Sequence, residues 1–310
     1  MQPCPICGDQ ENKAFLCKVT LVFGTEYDLR QCNHCKAAYF DPLPTVDHLE
    51  RFYSAAYYDF DRWHEEAKGS IYASKLKRLK RTGTFLDVGC ATGFFINGID
   101  RNSEWEVYGV DFGEAAIRYA RETLKLNVRE GDLRDAQYPD QFFDYIHVNN
   151  VLEHVPDPVV LLKECRRIIK PDGHLFLSVP NGTNDRRNLI AFYESEGLPA
   201  RSVSGHIFFF ARDTLLMVFE KVGFAVQRKK TGSIKRGLRN VGYLPRKKRW
   251  KKDYFPREAP EGEARSEIVI PPKKYPELYY RYRHIQSHLH DIPGLHEFGL
   301  DFIFLLRPDR

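Results

Sequence analysis

From Thr84 onward, short apolar runs alternate with amphipathic stretches of helical period, a pattern that predicts strands joined by helices. The runs Thr84–Val88, Glu104–Val110, Asn127–Arg129, Phe143–Val148, His174–Val179 and Phe224–Lys230 read as strands. Between them, Phe94–Asn102, Glu114–Leu124, Asp157–Ile169 and Asp213–Val222 read as helices, the third closed by Lys170-Pro171-Asp172-Gly173. Such alternation predicts an α/β protein with a doubly wound, seven-stranded, mostly parallel sheet covered on both faces. The closing run Leu300–Leu306 has no helix after it, so it is expected to add antiparallel near the sheet edge.

The chain before Thr84 has a different texture. Leu16 to Leu29 alternates around Gly24, which suggests a hairpin, and Asp41-Pro42-Leu43-Pro44 is a rigid connector. Thr45 or Asp47 then caps an aromatic-rich helical region carrying Phe52, Tyr53, Tyr57, Tyr58, Phe60 and Trp63. Ser70–Arg81 follows as a Lys-rich amphipathic helix with Ile71, Leu76 and Leu79 on one face.

Composition changes this picture in three places. The 310 residues are 43% hydrophobic and 29% charged, enough apolar material for a sizeable core. No apolar run approaches the ~18 residues needed to span a bilayer, and the first residues lack the n- and h-regions of a secretory signal, so a cytoplasmic location is expected. The formal charge of +5 is concentrated: Lys221–Lys252 holds 13 basic residues and no acidic one, leaving the rest of the chain at −8.

Four of the seven cysteines form two tight pairs, Cys4-Pro-Ile-Cys7 and Cys32-Asn-His-Cys35, separated by 24 residues. Two such knuckles can place four thiolates around one structural Zn2+ ion, with no open position for catalysis. Cys17, Cys90 and Cys165 are scattered.

The most informative turn follows the first long-sheet strand: Asp87-Val88-Gly89-Cys90-Ala91-Thr92-Gly93. Small residues there let the backbone approach a ligand, with a helix N-terminus behind. The acid at the strand end would repel a pyrophosphate and welcome an ammonium group, so an amino-acid-bearing nucleoside fits better than a dinucleotide. Asp111 ends the next strand, where a carboxylate can accept from both ribose hydroxyls. Gly131-Asp132-Leu133 follows the third strand, placed to reach a base edge.

Phe85-Leu86-Asp87-Val88-Gly89-Cys90-Ala91-Thr92-Gly93, Val110-Asp111, Gly131-Asp132, Asn150-Val151-Leu152-Glu153-His154-Val155 and Leu177-Ser178-Val179-Pro180-Asn181 together resemble the motifs of class I S-adenosylmethionine-dependent methyltransferases, over roughly residues 84–230 plus the last strand. The resemblance implies a Rossmann-like core binding S-adenosyl-L-methionine. Asp87 would hold the methionine amino group, with Gly89 and Gly93 giving backbone access. Asp111 would bind the ribose and Phe112 pack on the adenine. Asp132 and Leu133 would contact the base, and Asn149 or Asn150 line the methionine end. The layout with an N-terminal zinc ribbon resembles a bacterial group that modifies sugars, glycans and other small metabolites. On this basis residues 1–42 form the ribbon, 43–82 a helical cap or linker, 83–232 and 298–310 the methyltransferase core, and 233–297 a basic insertion able to cap an acceptor.

Two histidines are candidates for the catalytic base: His154 after the fourth strand, and His206 in Ser204-Gly205-His206. Related ribbon-bearing enzymes carry a Glu-His pair at the second place; here Gly205 stands in the glutamate position, which favours O-methylation over carbon-acid chemistry. Each histidine could equally be a helix-end or packing residue. Tyr53, Tyr57 and Tyr58 suit a helix face over the cofactor cleft. The cluster His284, His288 and His290 has helical spacing but no acidic or thiol partner, and His147 reads as structural. The expected function is O-methylation of a sugar, glycan or other small metabolite. The alternatives are C-methylation of a nucleotide-linked sugar, RNA methylation, or a non-catalytic nucleotide-fold binding protein. The basic run would suit an anionic acceptor or peripheral membrane contact. Nucleic acid is disfavoured because Asn149-Asn150-Val151-Leu152 lacks the Asn/Asp-Pro-Pro-aromatic signature of adenine methylation.

Overall fold

The computed structural model describes residues 2–10, 13–21, 24–45, 48–49, 62–202, 204–232 and 299–309. Expectations for Tyr53, Tyr57, Tyr58, the basic segment from Lys235 to Lys252 and the His284–His290 cluster lie outside those residues. No helix among the described residues is long and apolar enough to cross a membrane.

The main sheet has seven strands: β4 (Thr84–Val88), β5 (Glu106–Asp111), β6 (Asn127–Glu130), β7 (Phe143–Asn149), β8 (Ile169–Pro180), β11 (Phe224–Gly232) and β12 (Asp301–Pro308). Their spatial order is β11-β12-β8-β7-β4-β5-β6. Every neighbouring pair from β8 to β6 is parallel, whereas β12 runs antiparallel to both β8 and β11 and so sits one place in from the edge. Helices α1 (Arg62–Leu79), α2 (Phe94–Asp100), α3 (Glu114–Glu122), α4 (Pro158–Ile168), α5 (Gly182–Glu196) and α6 (Arg212–Lys221) complete the described helical elements. The order of β4 to β7 places a switch point at β4, where crossovers leave in opposite directions and ligands bind.

Local chemistry explains most boundaries. Asp157 caps α4 by accepting from the Val160 N–H, with Pro158 in its first turn. Helix α4 ends at Ile168, just before Lys170–Gly173 as expected, but the next strand begins at Ile169 and not at His174. The chain passes from α4 straight into β8, and the turn residues are taken up in a shift of register between Phe143↔Ile169 and Tyr145↔His174. Helix α1 starts at Arg62, earlier than its apolar spacing suggested, and buries Ala67, Gly69, Ala73 and Leu76 while Leu79 is exposed. Small residues make this contact: a Cβ on Gly69 would lie 2.1 Å from Phe95 O, and one on Gly98 would lie 2.2 Å from Glu66 O.

A second, five-stranded sheet has the order β10-β3-β2-β1-β9. It joins the N-terminal strands β1 (Lys13–Thr20), β2 (Glu26–Cys32) and β3 (Ala38–Asp41) to β9 (Ala200–Arg201) and β10 (Phe208–Phe209). Phe208 pairs with Tyr39 and Phe209 with Ala38. The N-terminal unit is therefore stitched to the main body by backbone pairing, and also by Thr214 Oγ1 donating to Cys35 O at 2.7 Å.

Candidate functional site

A cleft of about 1050 Å³ opens at the C-terminal ends of β4, β5 and β7. Asp87, Gly89, Asp111, Phe112, Asp132, Leu133, Asn149, Asn150 and His154 all line it. Gly93 does not. Its positive φ of 74° lets the chain turn into α2, and a Cβ there would meet Leu126 Cδ1 at 2.7 Å.

The turn after β4 is held in place by Asp111. One carboxylate oxygen accepts from the Ala91 N–H at 2.9 Å and the other from the Gly113 N–H at 2.9 Å. Gly89 and Ala91 both have positive φ, 76° and 51°, so the turn takes a shape that most side chains resist. At Gly89 a Cβ would also lie 2.4 Å from Val151 Cγ2. Gly89→Ala should therefore weaken ligand binding in this cleft by about ten-fold or more while lowering the unfolding midpoint by a few degrees, measured by calorimetry and thermal melting.

Asp87 is buried at the end of β4 and accepts a hydrogen bond from His147 Nδ1 at 2.7 Å. The carboxylate can only accept, so Nδ1 carries the proton. Burial pushes the Asp87 carboxyl above its usual range, with His147 opposing and Asp111 adding to the rise. A cation placed beside it would remove that penalty. His147 is itself wedged between the rings of Phe95 and Phe176, each 4.8 Å away, and lines the cleft. The sequence pattern gave it only a packing role, because a lone His in an apolar strand carries no signal of its partner.

Behind the His154 wall of the cleft lies a cluster of buried polar groups. Glu153 is 1% exposed, and among the described residues neither of its carboxylate oxygens meets a donor at hydrogen-bond geometry. His154 Nδ1 lies 3.0 Å from Gly205 O, and His206 Nδ1 lies 2.6 Å from Asp185 Oδ2. The two imidazole rings are 4.9 Å apart. Main-chain bonds fix the arrangement: Glu153 O accepts from the N–H groups of both Ile207 and Phe208. Burial drives the Glu153 carboxyl up to about 7 and the His154 imidazole down to about 3. For His206 burial acts downward, but the Asp185 carboxylate outweighs it and raises the imidazole. Of the two expected bases, only His154 is on the cleft wall; His206 stands behind it, held by β10 pairing with β3.

The absent carboxylate at position 205 does not leave His206 without an acid. Asp185 from α5 and Glu153 from the loop after β7 stand there instead, and Gly205, at a φ of 68°, contributes its carbonyl. The inference from Gly205 toward oxygen chemistry therefore loses its premise. Glu153 stands in one of the quoted motifs without a role of its own, and Asp185 is not marked at all, because each meets His206 from a segment distant along the chain.

In the N-terminal sheet, Cys4 Sγ and Cys35 Sγ are 3.6 Å apart, as are Cys7 Sγ and Cys32 Sγ. The four sulfur atoms lie within 4.8 Å of one another. None is a disulfide. A tetrahedral ion with bonds of about 2.3 Å needs sulfur separations of about 3.8 Å, so these residues fit a zinc ion.

A family model described as a methyltransferase domain matches residues 60–229, more than half of the chain. The chain is 30% identical over 141 residues to the ubiquinone biosynthesis O-methyltransferase of Acinetobacter baylyi, a match covering 43% of this chain and 55% of that protein. It is 38% identical over 102 residues to the protein of the same description from Yersinia enterocolitica, covering 31% and 42%. The chain thus spans about half the length of the curated relatives it matches. Among solved structures, a SAM dependent methyltransferase from Archaeoglobus fulgidus superposes with a TM-score of 0.45 at 19% identity, over 77% of this chain and 94% of that one.

Proposed function

We propose, for a chain that belongs to the class I S-adenosylmethionine-dependent methyltransferase family, that its cleft moves a methyl group onto a hydroxyl of a small molecule, with sugars and glycans as the preferred acceptors. The observation that carries this reading is the single cleft that joins Asp87, Asp111 and Asp132 on one side to His154 on the other. Its size suits a nucleoside together with a modest acceptor.

The donor set fits S-adenosylmethionine. The buried Asp87 carboxylate suits an ammonium group, and the Asp111 carboxylate on the cleft wall suits the ribose hydroxyls. Asp132, whose Oδ1 is engaged by the Arg134 N–H, and Leu133 would bracket the base, with Phe112 against its face. Asn149 and Asn150 would border the methionine end. When bound, the cofactor supplies an electrophilic methyl group on a sulfonium. The residues of the chain then have to orient the acceptor, exclude water and accommodate the hydroxyl proton. The cluster that His154 brings to the wall, with the Glu153 carboxyl raised to about 7 and His206 behind it, is positioned for that last task.

Oxygen as the acceptor atom rests on the curated relatives, which are described as O-methyltransferases. The four N-terminal cysteines are proposed to hold one structural Zn2+, giving a ribbon over residues 1–42. Residues 43–82 would then be the helical cap or linker, and 83–232 with 298–310 the catalytic core. The basic stretch within 233–297 would favour an anionic acceptor or a membrane surface.

Incubation with methyl-labelled S-adenosylmethionine and separate pools of nucleotide sugars, cell-envelope glycans, polyhydroxylated small molecules and total RNA tests the reading. Label is expected on one of the first three, stable to conditions that hydrolyse esters. Label on RNA alone would overturn the substrate class, and no binding of the cofactor would overturn the activity.

A further inference from the structure

The Glu153 cluster has a chemistry that a proton acceptor alone does not explain. A carboxylate 1% exposed with no donor at hydrogen-bond distance among the described residues is costly unless a proton or a cation compensates it. The tautomers around it are set by their outer partners. A carbonyl and a carboxylate can only accept, so His154 donates through Nδ1 to Gly205 O and His206 donates through Nδ1 to Asp185 Oδ2. In the neutral form of either ring, Nε2 is then the nitrogen that can act as a ligand, and both Nε2 atoms face Glu153. His154 Nε2 lies 3.6 Å, and His206 Nε2 4.0 Å, from Glu153 Oε1. One ligand atom from each of the three residues lies within 4.8 Å of the others.

From this convergence we propose that Glu153, His154 and His206 form a binding site for a divalent transition-metal ion, open on the cleft side. Two imidazoles and one carboxylate make a three-ligand set that leaves positions vacant for water or substrate. Histidines that ligate metals characteristically donate their second N–H to a carboxylate or carbonyl, as both do here through Asp185 and Gly205. Ligand bonds of about 2.0–2.2 Å require donor atoms about 3–3.6 Å apart, so loading the site closes separations of up to 4.8 Å by roughly 1–2 Å through side-chain movement. The surroundings favour a cation: Asp185 and Asp301 both act electrostatically on Glu153 and His206. Asn150 and Ser204, which line the cleft with His154, border the open side.

The role of the ion rests on the methyl-transfer reading, but its binding does not. An acceptor hydroxyl would enter as a further ligand, and coordination would lower its pKa. The O–H bond would then break with its electron pair kept on oxygen and the proton passing to water in the cleft. A second hydroxyl on the neighbouring carbon could complete a chelate, so vicinal diols are the acceptor class this site selects.

The test is a titration of the whole chain with Mn2+, followed by loss of the free-ion EPR signal. The protein is first washed with a chelator weak enough to leave the thiolate site loaded, and Mn2+ has little affinity for thiolates. One saturable Mn2+ per chain is expected. Glu153→Gln, which keeps the shape of the buried side chain, should weaken it by about ten-fold or more, and Asp185→Asn by about ten-fold through the loosened His206 ring. S-adenosylmethionine affinity should be the same in all three proteins. Absence of saturable Mn2+ binding, or affinity unchanged in both variants, would overturn the site. Methyl transfer to a hydroxyl by a protein that binds no Mn2+ would leave the functional reading standing and remove the ion. Saturable binding without methyl transfer would do the reverse.

Discussion

Asp111→Ala should raise the Kd for S-adenosylmethionine by about 100-fold and lower the unfolding midpoint by several degrees. The carboxylate does two jobs at once. Its oxygens accept from the Ala91 and Gly113 N–H groups at 2.9 Å each, and the carboxylate lines the cleft where a ribose would lie. Alanine strands both N–H groups and removes the ribose acceptor; each such loss is worth about 1–3 kcal/mol, and two of them together approach two decades in affinity. Asp111→Asn keeps one acceptor oxygen and should fall between wild type and alanine. Calorimetric titration of the three proteins measures this directly. An unchanged Kd in Asp111→Ala would mean that the nucleoside does not sit against β5, and the assignment of this cleft would fail.

The elements that carry the cofactor half were legible because their signals are local. Asp87, Gly89 and Gly93 lie within one turn, and β4, β5 and β7 are short apolar runs that only a buried parallel sheet accommodates. Helix α5 was not legible for the opposite reason. Of its residues only Gly182 and Asn184 are fully buried, so it has no broad apolar stripe to read. Its ends were nevertheless marked, by Asn181 accepting from the Thr183 N–H and by Gly197 at a φ of 65°. Missing that helix also hid Asp185, and with it half of the setting of His206. The polar cluster joins Glu153, Asp185 and His206 from three separate segments, with His206 just before β10, which adds to the N-terminal sheet. No spacing rule within one segment encodes that.

The same pairing leads to a large expected effect at a distance from the cleft. Cys35→Ser should lower the zinc content from one ion per chain to a small fraction, and should drop the unfolding midpoint by roughly 10 °C or more. A four-thiolate ion contributes on the order of 10 kcal/mol to small zinc units, comparable to the whole stability of a typical domain. The loss would not stay within the first forty residues. Cys35 O accepts from Thr214 Oγ1 on α6, and β3 pairs with β10, the strand that follows His206. Loosening β3 therefore frees the loop whose N–H groups bind Glu153 O. The turn after β4 is braced instead by Cys90, Ile96, Ile117 and Leu126 in a separate apolar cluster. Below its unfolding transition, the variant should thus bind S-adenosylmethionine within about three-fold of wild type while losing most methyl transfer. Zinc analysis, thermal melting and cofactor titration on one preparation measure all three quantities. A variant that lacks zinc yet melts and turns over like wild type would show that the cysteines hold no structural ion, and that the position of His206 is set by the main sheet alone.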